Sequence, residues 1–163
     1  MQNKKIKIRR ANSQDKQAVI TMLKKTKFFR PVELKTAEEV FDDAVAKGPK
    51  GDYQSFVAQK GSDAIGWICF GATPCTLGTY DIYWIAVSPQ NQNCGVGSLL
   101  MEYATDCIKK HKGRMIVLDT SGHSKYLSTR RFYEKNGYHK AAKVKNFYAD
   151  GDDQIIYTKH LKN

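Results

Sequence analysis

Two stretches and one lone side chain of this 163-residue sequence hold residue types in an order able to do chemistry. The sharpest is Gln92-Asn93-Cys94-Gly95-Val96-Gly97-Ser98, set between an apolar strand pattern and an amphipathic helix pattern. Glycines at a helix start let a ligand approach the backbone, and the first-turn N–H groups with the helix dipole attract an anion, typically a phosphate. A P-loop would need Gly-Lys-Ser/Thr, which does not occur. A Rossmann fingerprint would need a third glycine where Leu100 stands. By itself the stretch also suits a tight strand-to-helix turn. The second is Phe132-Tyr133-Glu134-Lys135, where Phe132 can serve the core and Tyr133 is either a second core aromatic with a tethered hydroxyl or free to use that hydroxyl. The lone side chain is Asp81, a carboxylate in the otherwise apolar Tyr80–Val87, which is either partly buried for a chemical reason or simply an exposed strand entry. Cys69, Cys75, Cys94 and Cys107 show no CxxC spacing, and His111, His123, His139 and His160 no ligand spacing, so no metal is expected. Reduced thiols in a cytoplasm are expected.

Elements that could position these groups follow from periodicity. Lys5–Arg9 alternates as a first strand. Asn12 or Ser13 caps a helix to about Thr26. Thr36-Ala37-Glu38-Glu39 reads as a capping box opening a second helix, which Gly48-Pro49 ends. Ser55–Gln59 and Ala64–Phe70 form a hairpin across Gly61-Ser62-Asp63, and Tyr80–Val87 is a further strand. Val96, Leu99, Leu100, Tyr103, Ala104, Cys107 and Ile108 mark a strong amphipathic helix that Gly113 stops. Met115–Leu118 is a short buried strand. A helix spans roughly Lys125–Lys135, placing Tyr126, Thr129 and Tyr133 on one face. Strands near His139–Val144 and Gln154–Leu161 close the chain. The segment Asn146–Asp153 reads as the loop joining them, with an aromatic pair beside acids.

Composition bounds the rest. The length suits one domain with a full core, and 41% hydrophobic with 26% charged residues is globular. No apolar run reaches a membrane span, and Met1–Lys5 starts no leader, so neither membrane nor secretion is expected. The formal charge is +11. It divides into +9 for residues 1–30, −4 for residues 31–100 and +6 for residues 101–163. No nucleic-acid module accompanies it, so nucleic acid is not expected and a solvated basic surface is.

Tyr80-Asp81-Ile82-Tyr83-Trp84-Ile85-Ala86-Val87-Ser88-Pro89, the Gln92-x-x-Gly95-x-Gly97 loop and Arg130-Arg131-Phe132-Tyr133-Glu134-Lys135-Asn136-Gly137-Tyr138 together resemble the GNAT superfamily of acetyl-coenzyme-A-dependent N-acetyltransferases. The resemblance implies an α/β (α+β) fold over one domain, residues 1–163. Its sheet would be mixed, mostly antiparallel and twisted, with about seven strands splayed between the fourth and fifth, and about four flanking helices. It implies acetyl-coenzyme A as donor, without a metal. The pantetheine arm would bond like an added strand to Ile85, Ala86 and Val87. The pyrophosphate would rest on Gln92, Asn93, Cys94, Gly95, Val96, Gly97 and Ser98. Tyr126 and Thr129 would touch the coenzyme, although many members carry an asparagine where Tyr126 stands. Tyr133 matches the tyrosine that serves as acid beside the coenzyme sulfur. Asp81 aligns with the base of the histone-acetylating members, acting directly or through a water. Arg130 and Arg131 are solvated or meet coenzyme phosphates.

The expected reaction is direct attack by a primary amine of a small molecule on the thioester in a ternary complex. A protein lysine or N-terminus is the alternative acceptor. A non-catalytic acyl-coenzyme sensor or a basic nucleic-acid module is the alternative of another class. A monomer and a homodimer are equally compatible.

Overall fold

The computed structural model describes residues 5–162. The leader reading of Met1–Lys4 lies outside the described residues. The strands are β1 (Ile6–Arg10), β2 (Gln54–Lys60), β3 (Asp63–Ala72), β4 (Thr79–Val87), β5 (Met115–Ser121), β6 (His139–Ala149) and β7 (Asp152–His160). The helices are α1 (Lys16–Thr26), α2 (Pro31–Lys47), α3 (Val96–Lys110) and α4 (Leu127–Lys135). The strands form one mixed sheet in the order β1-β2-β3-β4-β5-β7-β6. The chain divides into two units: Met1–Gly71 with Ile82–Asp106, and Ala72–Asp81 with Cys107–Asn163. None of the described helices is long and apolar enough to cross a membrane.

In the first unit β1 and β3 flank β2 antiparallel, with Arg10 opposite Phe56 and Gln54 opposite Phe70. Val19 and Leu23 of α1 and Ala37 and Phe41 of α2 bury their apolar faces with Val57 and Trp67. Trp67 is fully buried, which its indole permits because Nε1 donates to Ser55 Oγ at 2.8 Å. On β3, Gly66 leaves room for α3. A Cβ there would stand 2.9 Å from Leu100 Cδ1 and 3.0 Å from Val96 Cγ1.

Two helix boundaries differ from the periodicity reading. α2 opens at Pro31, five residues before Thr36. Proline at the first helical position has its backbone already set, and the Arg30 amide donates to Glu33 Oε2 at 2.7 Å. Thr36 lies inside the helix and donates to the Val32 carbonyl at 3.1 Å. At the end of α3 the left-handed residue is Lys112, φ 59°, not Gly113. Gly113 answers a different need, since a Cβ would stand 2.2 Å from Ile108 Cγ2.

In the second unit the start of β4 runs parallel to β5, Thr79 opposite Met115 through Asp81 opposite Val117. β5 pairs antiparallel with β7 from Met115–His160 to Ser121–Gln154. β6 runs to Ala149, so Asn146–Ala149 is strand and the turn is only Asp150-Gly151. Asn146 has φ 52° and the β6–β7 register shifts between Val144 and Ala149. That interruption breaks the alternation that marks a strand in sequence. The Asn146 amide donates to Asp153 Oδ1 and its side-chain oxygen accepts from the Gly151 amide, each at 2.9 Å.

A buried charge ties β1 to the start of α1. Asp15 accepts from Arg9 Nη1 at 2.7 Å, Arg9 Nη2 at 2.8 Å and the Asn12 amide at 2.9 Å. Burial pushes the Asp15 carboxyl upward, but the Arg9 and Asn12 bonds outweigh it and hold the group below the usual carboxylate range. Its contribution is therefore complete above the unfolded value near pH 4 and disappears as pH falls through the lower folded value. Asp15→Ala is expected to destabilise the fold by about 2 kcal/mol at neutral pH. Urea unfolding at a series of pH values checks this, and the difference from wild type should vanish in acid.

Candidate active site

In the first unit, β4 delivers the chain to the start of α3 through a braced corner. The Ser88 amide donates to the Ile65 carbonyl at 2.9 Å, and Asn91 Nδ2 donates to Ser88 Oγ at 2.8 Å. Gln92 turns back, its Nε2 donating to the Val87 carbonyl at 3.2 Å. Its side chain thus holds the corner, while Asn93, Cys94 and Gly95 are exposed. Asn93 and Gly95 are left-handed, φ 59° and 81°. This pair of reversals aims α3, whose first backbone bond runs from the Leu99 amide to the Gly95 carbonyl at 3.0 Å. The amides of Val96, Gly97 and Ser98 precede that ladder and have no intrahelical carbonyl to meet. A Cβ on Gly95 would meet nothing within 4 Å, so the space before the helix is open. Val96 is buried, leaving only its backbone for a ligand. Upstream on β4, Ala86 is buried while Ile85 and Val87 are half-buried. An anion the size of a phosphate fits this donor set by charge and by room.

The second unit holds Tyr133, Tyr126, Thr129 and Asp81. Tyr133 on α4 is 7% exposed, with Phe132, Tyr157 and Tyr138 rings at centroid distances of 5.6, 5.9 and 6.3 Å. Burial raises its phenol far above the ordinary tyrosine value, and the charge of Asp119 adds to this. The phenol is a proton donor at neutral pH. Thr129 shares α4 with it, half-buried. Tyr126 stands one residue before α4, closing a 3₁₀ turn from Ser124, so the single helical face read from the spacing excludes it. Lys125 Nζ lies 5.1 Å above its ring. Asp81, half-buried, accepts from Thr73 Oγ1 at 2.5 Å. Arg130 Nη1 is spent on the Ser121 and His123 carbonyls at 2.8 and 3.0 Å, whereas Arg131 is exposed.

Asp119 is the functional candidate that sequence reasoning passed over. It is exposed near the end of β5 and accepts the Tyr148 hydroxyl. The available signal was alternation, because Ile116, Leu118 and Thr120 are all buried and place Asp119 on the other face. Ending the strand at Leu118 hid it. The acids at the start of β7 are otherwise engaged: Asp152 accepts the Ser121 hydroxyl, and Asp153 pairs with Lys143 at 2.6 Å. Among the described residues no group of three or more His, Cys, Asp and Glu side chains could hold a metal ion.

Known proteins share this architecture. A family model described as the acetyltransferase (GNAT) domain matches residues 51–140. A crystal structure from Desulfovibrio desulfuricans, assigned to GNAT acetyltransferases, is 39% identical with a TM-score of 0.92, covering 96% of this chain and 99% of that one. The ribosomal-protein-S18-alanine N-acetyltransferase of Escherichia coli is 19% identical with a TM-score of 0.77, over 98% and 96% of the two chains. An aminoglycoside 6'-N-acetyltransferase complexed with coenzyme A is 16% identical with a TM-score of 0.76, over 96% and 98%. No curated protein sequence matches this chain. The fold, the family model and the Desulfovibrio relative together make this chain a member of the GNAT acetyltransferase family.

The left-handed turn at Gly95 is the local constraint on this corner. Gly95→Ala is expected to cost about 1–2 kcal/mol, because φ 81° is costly for a residue with a Cβ. The open space excludes a steric clash as the cause. Denaturant unfolding measures it, and Gly95→Asn should recover part of the loss, since asparagine tolerates this backbone better than alanine.

Proposed function

We propose that this protein transfers the acetyl group of acetyl-coenzyme A to a primary amine of a small molecule by direct attack. The observation that carries the reading is the entrance to α3, where three helix-start amides follow a left-handed glycine with open space before it. Membership of the family supports the donor, and coenzyme A in the aminoglycoside acetyltransferase supports the same ligand here. Bound there, the coenzyme supplies a thioester carbonyl that an amine can attack.

The residues take separate parts. The amides from Asn93 to Ser98 receive the pyrophosphate, with Gln92 keeping the corner in shape. The backbone of Ile85, Ala86 and Val87 takes the pantetheine arm. Thr129 and the Tyr126 ring contact the coenzyme. Tyr133 protonates the departing thiolate, a role suited to a phenol that burial keeps protonated. Asp81, tethered by Thr73, removes the amine proton directly or through a water. Cys94 stands exposed in the phosphate loop and forms no acyl-enzyme.

The whole chain works as one acetyltransferase domain in the cytoplasm. None of the four cysteines is in a disulfide, and burial pushes the Cys69 thiol up to about 12, which keeps it inert.

Acetyl-coenzyme A at 100 times its dissociation constant is expected to add about 2.7 kcal/mol of stability, read as a rise in Tm. No shift at millimolar coenzyme would overturn the reading. Tyr133→Phe is expected to lower kcat about 100-fold or more while calorimetry shows unchanged coenzyme affinity. A screen of amines and peptides, following thiol release, tests the acceptor. Turnover confined to peptides would replace the small molecule by a protein.

A further inference from the structure

The second unit contains a carboxylate that the reaction above does not use. Asp119 is exposed on β5 and meets no Lys or Arg among the described residues. Among the described residues its one hydrogen-bond partner is the Tyr148 hydroxyl, from a strand position 29 residues further along the chain. Burial, and then the Asp119 bond and charge, keep the Tyr148 phenol protonated and hence a donor. Of this unit's cations, Lys143 pairs with Asp153, and Arg130 is held by the Ser121 and His123 carbonyls. Asp152 adds a second negative charge on this unit and accepts the Ser121 hydroxyl.

A second observation points to a ligand. The Tyr133 side chain is more than nine-tenths buried, yet its hydroxyl donates to no described residue. The Asp119 charge bears on that phenol. A carboxylate held by a hydroxyl and meeting no cation, on the same unit as a phenol meeting no acceptor, is a setting for a cationic molecule that brings its own reacting atoms.

We infer that Asp119 binds the ammonium of the acceptor, that Tyr148 is the positioning residue holding this carboxylate, and that the acceptor class is a primary alkylammonium with no carboxylate beside its amine. This rests on the acetyltransferase reading. An ammonium offers three donors to a carboxylate whose orientation the Tyr148 bond has already settled. An amino acid would bring its own carboxylate against the charges of Asp119 and Asp152.

Steady-state kinetics on the whole protein test this, with putrescine as the cationic acceptor, glycine as the carboxylate-bearing one and hydroxylamine as an amine uncharged at neutral pH. Wild type is expected to prefer putrescine over glycine by at least about tenfold in kcat/KM. Asp119→Asn should raise the KM for putrescine about tenfold or more and leave the KM values for hydroxylamine and acetyl-coenzyme A within about twofold. Tyr148→Phe keeps the charge but frees it, so it should raise the putrescine KM a few-fold with kcat little changed. Both variants should retain the Tm rise with acetyl-coenzyme A, which shows them folded. A putrescine KM unchanged in both variants, or equal use of glycine, overturns the assignment while leaving the acetyltransferase reading standing. Wild type that transfers acetyl to none of the amines overturns the assignment, and the absence of a Tm rise with acetyl-coenzyme A besides overturns both.

Discussion

The absence of one side chain sets the geometry of the first unit. At Gly66 the β3 backbone lies so close to α3 that a Cβ would strike Leu100 and Val96. The helix therefore starts against the sheet, with Val96 and Leu100 buried. Its first-turn amides follow directly on the exposed corner from Asn93 to Gly95. Close packing is what makes this effective, since a gap of even one methyl group in a dense interior would let the helix start shift. The two left-handed residues then complete a turn that only a short-range reversal of the backbone can make.

The second unit rests on a different constraint, the burial of a phenol. Tyr133 packs among Phe132, Tyr138 and Tyr157, and that apolar surrounding disfavours its ionised form. The same packing that stabilises α4 thus supplies a protonated donor. Around it the polar groups sort by their partners. Arg130 ties α4 to the end of β5, Asp153 ties Lys143 and the Asn146 bulge together, and Asp119 is left to Tyr148. Asp152 and Asp153 at the start of β7 do structural work, and Asp119 stands on another strand.

Misreadings of the sequence have identifiable physical causes. Thr36-x-x-Glu39 and Arg30-Pro31-x-Glu33 both resemble helix starts, and proline with its matching carboxylate is the earlier one the chain meets. Gly113 was legible as a necessary glycine but not for the right reason, which is contact with Ile108. The tail of β6 reads as loop because Asn146 reverses locally and the register slips. Tyr126 shares the spacing of a helix face but belongs to the turn before it.

The sequence by itself determined the element order and the glycine corner. Both depend on residues near one another along the chain: an apolar strand pattern running up to Ser88-Pro89, glycines at Gly95 and Gly97, and the amphipathic spacing that follows. Only the tertiary structure decided which polar groups are spent and which remain. Asp119 and Tyr148 meet across 29 positions, and Ser121 and Asp152 across 31. Nothing local encodes such pairs, because a side-chain partner is chosen by strand register and not by sequence distance.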